Sequence, residues 1–217
     1  MERKGRKPPA RLCVIRHGET AWNAEGRVQG QTDVPLSRVG EAQAAALAAA
    51  LAGERFAALY ASDLARVRQT AAPLARALRL APRLEVALRE RHYGKFETLT
   101  YVEARERIPE DYARFKAKEL HYDFGTGESL ARFSARALAA VGAIAARHAG
   151  EAVLVFTHGG VLEMVRRHAL GMGLAAPRDF EIPNAAINWI AVEGDAWRLE
   201  AWAETGHLDA ALDDLRD

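Results

Sequence analysis

The chain has 217 residues, 49% hydrophobic and 27% charged, with a formal net charge of +1. That length fits one domain with a sizeable core, and the near-zero charge argues against a polyanion-binding protein, since nucleic-acid domains carry a clear basic excess. No run approaches the roughly 18 apolar residues of a membrane span, and the single cysteine, Cys13, has no partner for an internal disulfide.

Residues 1–10 read as a flexible basic tail, with Arg3, Lys4, Arg6 and Lys7 solvated ahead of the first strand. No apolar segment of signal-peptide length is present there, so the cytoplasm is the expected compartment. From residue 11 a single domain is expected, running to 217. Short apolar runs alternate with longer helical patterns, which is the signature of a three-layer α/β/α fold around a mostly parallel sheet.

Residues 11–16 form the first expected strand, with Cys13 in its core. A loop through Asp33-Val34-Pro35 follows. Ser37 then caps an Ala/Leu-rich helix that stops near Gly53. Phe56 to Ala61 reads as a second strand and Leu64 to Leu80 as a helix, with a kink or break at Pro73. Residues 83–88 read as a third strand.

Residues 91–127 break the rhythm. They carry Tyr93, Phe96, Tyr101, Tyr112, Phe115 and Phe124 among mixed charges, and read as a small, mostly helical lid over a substrate. A helix over 128–148, a strand over Ala152–Phe156 and a helix from about Gly160 to Leu170 follow. Strands 186–192 and 197–202 close the chain as a hairpin around Glu193-Gly194-Asp195. Trp189, Trp197 and Trp202 alternate along this hairpin and are expected to pack on the sheet or on a partner subunit, so a homodimer is one candidate assembly. His148 and His168 read as exposed helix residues, and His207 as a structural hydrogen-bonding residue.

The chemistry collects at strand ends. In open α/β sheets, ligands bind beyond the carboxyl ends of the strands. The first strand delivers Arg16-His17-Gly18-Glu19-Thr20: a fixed cation, an imidazole and a backbone that can approach a ligand. The strand ending at Phe156 delivers Thr157-His158-Gly159-Gly160 at the start of a helix, whose N-terminal N–H groups favour an anion. Ser62-Asp63-Leu64-Ala65-Arg66 places a cation in the first turn of another helix, where it either meets an anion or pairs with Asp63. Arg89-Glu90-Arg91 supplies a carboxylate at a fourth strand end, unless Glu90 pairs with its arginine neighbours. No Cys-, His- or Glu-rich set suggests a metal site.

In this order the segments resemble the histidine phosphatase superfamily, which includes the cofactor-dependent phosphoglycerate mutases. The resemblance runs from Leu12 to about Leu208, and its most specific element is Arg16-His17-Gly18-Glu19-Thr20 with Asn23, Gly30, Asp33, Pro35-Leu36-Ser37 and Gly40. It implies a phosphoglycerate mutase-like fold in which His17 is phosphorylated during turnover. Arg16, Arg66 and His158 would hold the phosphoryl oxygens, and Glu90 would be the proton donor and acceptor. Thr20, Asn23, Gln29, Gly30 and Gly159 would border the phosphate, with His92 and Tyr93 walling the substrate. The partner implied is a small-molecule phosphate ester, with no metal ion and no cofactor.

Within that resemblance the run Glu90-Arg91-His92-Tyr93-Gly94 is similar to the mutase branch. Thr98 and Tyr101 stand where mutases have Gly and Lys, and Gly160 stands where they have Asn. The mutases' paired arginines are not recognisable between Tyr101 and Gly127. Gly127-Glu128-Ser129-Leu130 leads straight into a helix, as in the shorter phosphatase branch. The expectation is therefore a phosphomonoester hydrolase acting through a phosphohistidine. The alternatives are a mutase and a non-catalytic phospholigand-binding module.

Overall fold

A computed structural model of the chain describes residues 8–209, so residues 1–7 of the expected basic tail lie outside the described residues. Strand β1 (Ala10–Arg16) leads into a one-turn helix α1 (Ala21–Ala24), capped by Thr20, and then α2 (Arg38–Leu51), capped by Ser37. Strand β2 (Ala58–Ala61) is followed by α3 (Ala65–Leu78) and β3 (Arg83–Leu84). After the short α4 (Tyr101–Arg107) and α5 (Pro109–Lys116) come α6 (Leu130–Arg147), β4 (Ala152–Thr157) and α7 (Gly159–Ala169). Strands β5 (Ile187–Glu193) and β6 (Ala196–Glu204) close the described chain as the expected hairpin.

The six strands form one sheet in the order β3-β2-β4-β1-β5-β6. Strands β3, β2, β4 and β1 are mutually parallel, while β5 runs antiparallel to β1 and β6 to β5. The period of two in each strand sends alternate side chains to opposite faces. Leu12 and Val14 of β1 join Val153 and Val155 beneath α6 and α7. Cys13 and Ile15 join Leu154 and Phe156 beneath α2 and α3. Each such side chain contributes roughly 1.5–3 kcal/mol on burial, so both faces hold the central strands in register.

Three expectations need correction. The third strand does not run to residue 88: Val86–Leu88 is a 3-10 turn, and Leu84 and Val86 are exposed. Leu88 is fully buried and Ala87 packs against the core beside it, so the chain turns inward there and brings Glu90 to the start of α7. Helix α3 is not broken at Pro73. Val67, Ala71 and Leu74 are fully buried against the sheet, and that packing holds the helix through a residue that costs about 3 kcal/mol in a helix interior. His148 is also buried rather than exposed, its ring set between the Tyr60 hydroxyl at 3.1 Å and Glu151 at 2.6 Å. His168 is exposed, as expected, and packs edge-on against Trp197. Trp189 stacks on Phe56 and Trp202 lies against Phe180. His207 meets the Ala185 carbonyl at 3.1 Å.

The segment 91–127 has its own small core of Phe96, Ala104, Tyr122 and Phe124, with Phe115 packed against them. Arg91 is buried beneath it, donating to the Glu128 and Tyr122 carbonyls and lying over the Phe124 ring. Backbone bonds Val28–Leu99 and Thr98–Val28 fasten this segment to the loop that leaves α1. Among the described residues no helix is long and apolar enough to cross a membrane.

Candidate active site

Strands β1 and β4 are neighbours, with Arg16 opposite Thr157 in register. The next residue of each is a histidine, so the sheet itself brings His17 and His158 together, their ring centroids 5.3 Å apart at 63°. Both are buried. His17 donates from Nδ1 to the Gly18 carbonyl at 2.7 Å, which fixes the tautomer and leaves the Nε2 lone pair free. His158 Nε2 is 2.9 Å from the Ser62 hydroxyl, and its Nδ1 has no partner.

Burial is the main cause that drives both imidazoles well below their ordinary 6.5, with the Arg66 and Arg16 charges adding to it. His17 is therefore neutral and nucleophilic across the physiological range. Burial likewise pushes Arg16 and Arg66 down to about 10, against the pull of Glu90. Both guanidiniums remain charged at neutral pH.

Arg66 is held from one side only. It donates to the Thr32 and Gly30 carbonyls at 2.9 and 2.7 Å, and its Nε, though buried, has no partner. Arg16 donates to the Ile182 carbonyl at 2.5 Å, and its buried Nε is likewise unpartnered. Native proteins seldom bury donors unpaired. The charges of Arg66 and Arg16 act on both imidazoles, so two guanidinium nitrogens and an imidazole nitrogen left without partners suit the oxygens of an anion.

The arginine pairings resolve the ambiguities in the sequence. Asp63 takes a two-pronged ion pair with Arg89, at 2.7 and 2.5 Å, and so does not hold Arg66. Glu90 pairs with neither Arg89 nor Arg91. Its Oε1 accepts from the Arg91 backbone N–H at 2.7 Å and its Oε2 from the Gly160 N–H at 2.9 Å, at the start of α7.

The flanking candidates sort by place. Thr20 is buried and caps α1 through a reciprocal bond with Asn23. Gln29 is buried with its side-chain oxygen unpartnered. Gly30 has φ +54°, and a Cβ there would meet Glu97 Oε1 at 2.1 Å, so only glycine keeps this loop against Arg66. Gly159 opens α7 beside Arg16. Tyr93 lines a cavity of about 470 Å³ next to Gly160. His92 does not line it; its ring faces Glu97 at 3.8 Å.

Several supporting roles escaped the sequence reading. Asn184 donates to the His17 carbonyl at 2.9 Å, Thr70 accepts from the Gly18 N–H, and Ser62 orients His158. Glu97 gathers the N–H groups of Gln31, Thr32 and Tyr93. Arg136 of α6 donates to the carbonyls of Ala87, Arg89 and Glu90 while paired with Glu128 at 2.7 Å. Among the described residues, no group of three or more His, Cys, Asp or Glu is placed to hold a metal ion.

Residues 12–205 match the family model described as the histidine phosphatase superfamily, branch 1. A metal-independent phosphoserine phosphatase of Arabidopsis thaliana is 36% identical over 202 residues, covering 92% of this chain and 83% of that one. The solved structure of Bacillus stearothermophilus YhfR superposes with a TM-score of 0.85 at 31% identity, over 92% of this chain and 100% of the other. A phosphoserine phosphatase from Entamoeba histolytica, solved in complex with 3-phosphoglyceric acid, gives a TM-score of 0.82 at 28% identity, covering 92% and 99%.

Proposed function

The chain belongs to the histidine phosphatase superfamily, whose members work through a phosphohistidine, and on that premise we propose that His17 Nε2 takes the phosphoryl group of a small phosphomonoester and passes it to water. The observation that carries the reading is the His17 ring, held by Nδ1 with Nε2 free, 5.3 Å from the His158 ring and accompanied by two arginines that each bury an unpartnered Nε.

In the first step the Nε2 lone pair forms the P–N bond while the ester P–O bond breaks. The departing alkoxide takes a proton from Glu90. In the second step water attacks phosphorus, the P–N bond breaks, and Glu90 recovers its proton from that water. Charge spreads over the three equatorial oxygens in each transition state, and Arg16, Arg66 and His158 hold them. Thr20, Asn23, Gln29, Gly30 and Gly159 shape the rest of the phosphate pocket, and Tyr93 walls the leaving group. The reading takes residues 11–217 as one domain, with 91–127 as its lid, working in the cytoplasm.

A mutase reading is favoured by one feature, the run Glu90-Arg91-His92-Tyr93-Gly94. The two are separated by supplying 3-phosphoglycerate with a trace of the bisphosphate. Accumulation of free phosphate is expected; stoichiometric 2-phosphoglycerate would overturn the hydrolase reading. Assay of a phosphomonoester panel that includes phosphoserine then ranks the substrates.

A further inference from the structure

The 470 Å³ cavity beside Gly160 is lined by four cations, Arg91, Lys116, Lys118 and Arg178, and by one carboxylate, Glu163. Its remaining walls are mainly aromatic and aliphatic, among them Tyr101, Phe133 and Met164. Arg91 is spent on the Glu128 and Tyr122 carbonyls. Glu163 is spent as well: Arg167 holds it at 2.8 Å and Arg178 at 3.7 Å. No carboxylate of the lining is left for the two lysines.

Lys118 gives one of its three ammonium donors to the Ala176 carbonyl at 2.6 Å. The Lys116 amine makes no hydrogen bond or ion pair among the described residues. Lys118 also sits in the left-handed region, φ 52°, just past the end of α5. That is the left-handed position that commonly ends a helix, closed here by the Glu119 N–H donating to the Arg114 carbonyl at 3.2 Å. Burial lowers the Lys118 ammonium, and the charges of Arg167, Arg178 and Lys116 add to that. Gly160 lines the same cavity and donates its N–H to Glu90 at 2.9 Å, which places this cationic wall next to the Glu90 carboxylate.

We propose that Lys116, Lys118 and Arg178 form a second anion subsite, so that the preferred ester carries a further negative group, a carboxylate or a second phosphate, on its leaving group. The inference rests on the phosphatase reading for the position of the first phosphate. The aromatic and aliphatic walls would accept the carbon skeleton between the two charges.

Three esters with one skeleton test it: glycerol 3-phosphate, 3-phosphoglycerate and glycerol 1,3-bisphosphate. At least one of the two doubly anionic esters should exceed glycerol 3-phosphate in kcat/KM by about 10-fold, mostly through KM, and the better of them identifies the second group. Lys116→Met and Lys118→Met should each shrink that preference, and Lys116→Arg should keep it. Lys116 is exposed and unpartnered, so its substitution leaves folding intact. Equal kcat/KM for all three esters in the unaltered protein, or a preference indifferent to both Met variants, would overturn the subsite. Should none of them, nor any ester of the wider panel, release phosphate, the phosphatase reading fails instead. Calorimetric titration of the same esters then decides the subsite: tighter binding of a doubly anionic ester, weakened by Lys116→Met, supports it, and equal affinities overturn it.

Discussion

Gly160 donates its backbone N–H to Glu90 Oε2 at 2.9 Å, and a methyl group at position 160 would lie 2.1 Å from Glu90 Oε1. The first residues of α7 thus fix where the Glu90 carboxylate sits. Gly160→Ala is expected to displace the carboxylate and lower kcat for alkyl phosphates by about 10²-fold, the usual scale for an ångström of misplacement. Binding of inorganic phosphate, read by calorimetry, should change little. Unaltered kcat would mean that Glu90 needs no such seat.

Glu90→Gln separates the two proton transfers. An alkyl ester needs the acid in the first step, so its turnover should fall by about 10²–10⁴-fold. Nitrophenolate leaves without a proton. With p-nitrophenyl phosphate the variant should therefore release a rapid burst of one equivalent of nitrophenol, followed by slow turnover limited by hydrolysis of the phosphoenzyme. Stopped-flow absorbance reads this directly. Steady-state turnover of the nitrophenyl ester as fast as in the unaltered protein, with no burst ahead of it, would remove Glu90 from the second step.

Arg136 holds the backbone that carries Glu90, through the carbonyls of Ala87, Arg89 and Glu90 and a two-pronged pair with Glu128. Arg136→Met should cost about 1–3 kcal/mol in stability and reproduce part of the Glu90 phenotype, with kcat for alkyl esters falling more than kcat for the nitrophenyl ester. A loss equal for both ester types would assign Arg136 a purely structural role.

Stability should depend on pH through the two buried imidazoles. Burial first, and then the charges of Arg66 and Arg16, hold both well below 6.5 in the folded protein. Below that ordinary value the unfolded chain takes up protons that the folded chain refuses. Stability present above pH 6.5 is therefore lost as pH falls, by at most about 1.4 kcal/mol per pH unit for each ring. Urea unfolding at pH 7.5, 6 and 5 should show this slope, and the double variant His17→Asn, His158→Asn should flatten it. An identical slope in the double variant would contradict the cause given.

The parts of this site that the sequence reveals are those tied to the ends of regular elements. Apolar runs locate β1 and β4, and the residues directly after them, His17 and His158, fall together because parallel neighbours end at the same edge. Segment 91–127 is legible only as a break in periodicity, because its core is assembled from aromatics without a repeat. Leu84, Val86 and Leu88 alternate like a strand, yet only Leu88 is buried, since an edge position asks less of its side chains. His148 looks like an exposed helix end, and nothing local announces that Tyr60, 88 residues away, receives it. Asn184 and Arg136 are invisible for the same reason: each acts on a backbone carbonyl far along the chain, and a carbonyl has no letter in the sequence.

The most direct measurement of the central claim is identification of the phosphorylated residue. Acid quenching would cleave a phosphohistidine, so the protein is mixed with 32P-labelled ester, quenched in alkali within milliseconds and mapped by mass spectrometry. One phosphoryl group per chain is expected on His17, lost on acidification. His17→Ala should carry none and turn over at least about 10³-fold more slowly. Label on another residue, or near-normal turnover in His17→Ala, would contradict the account.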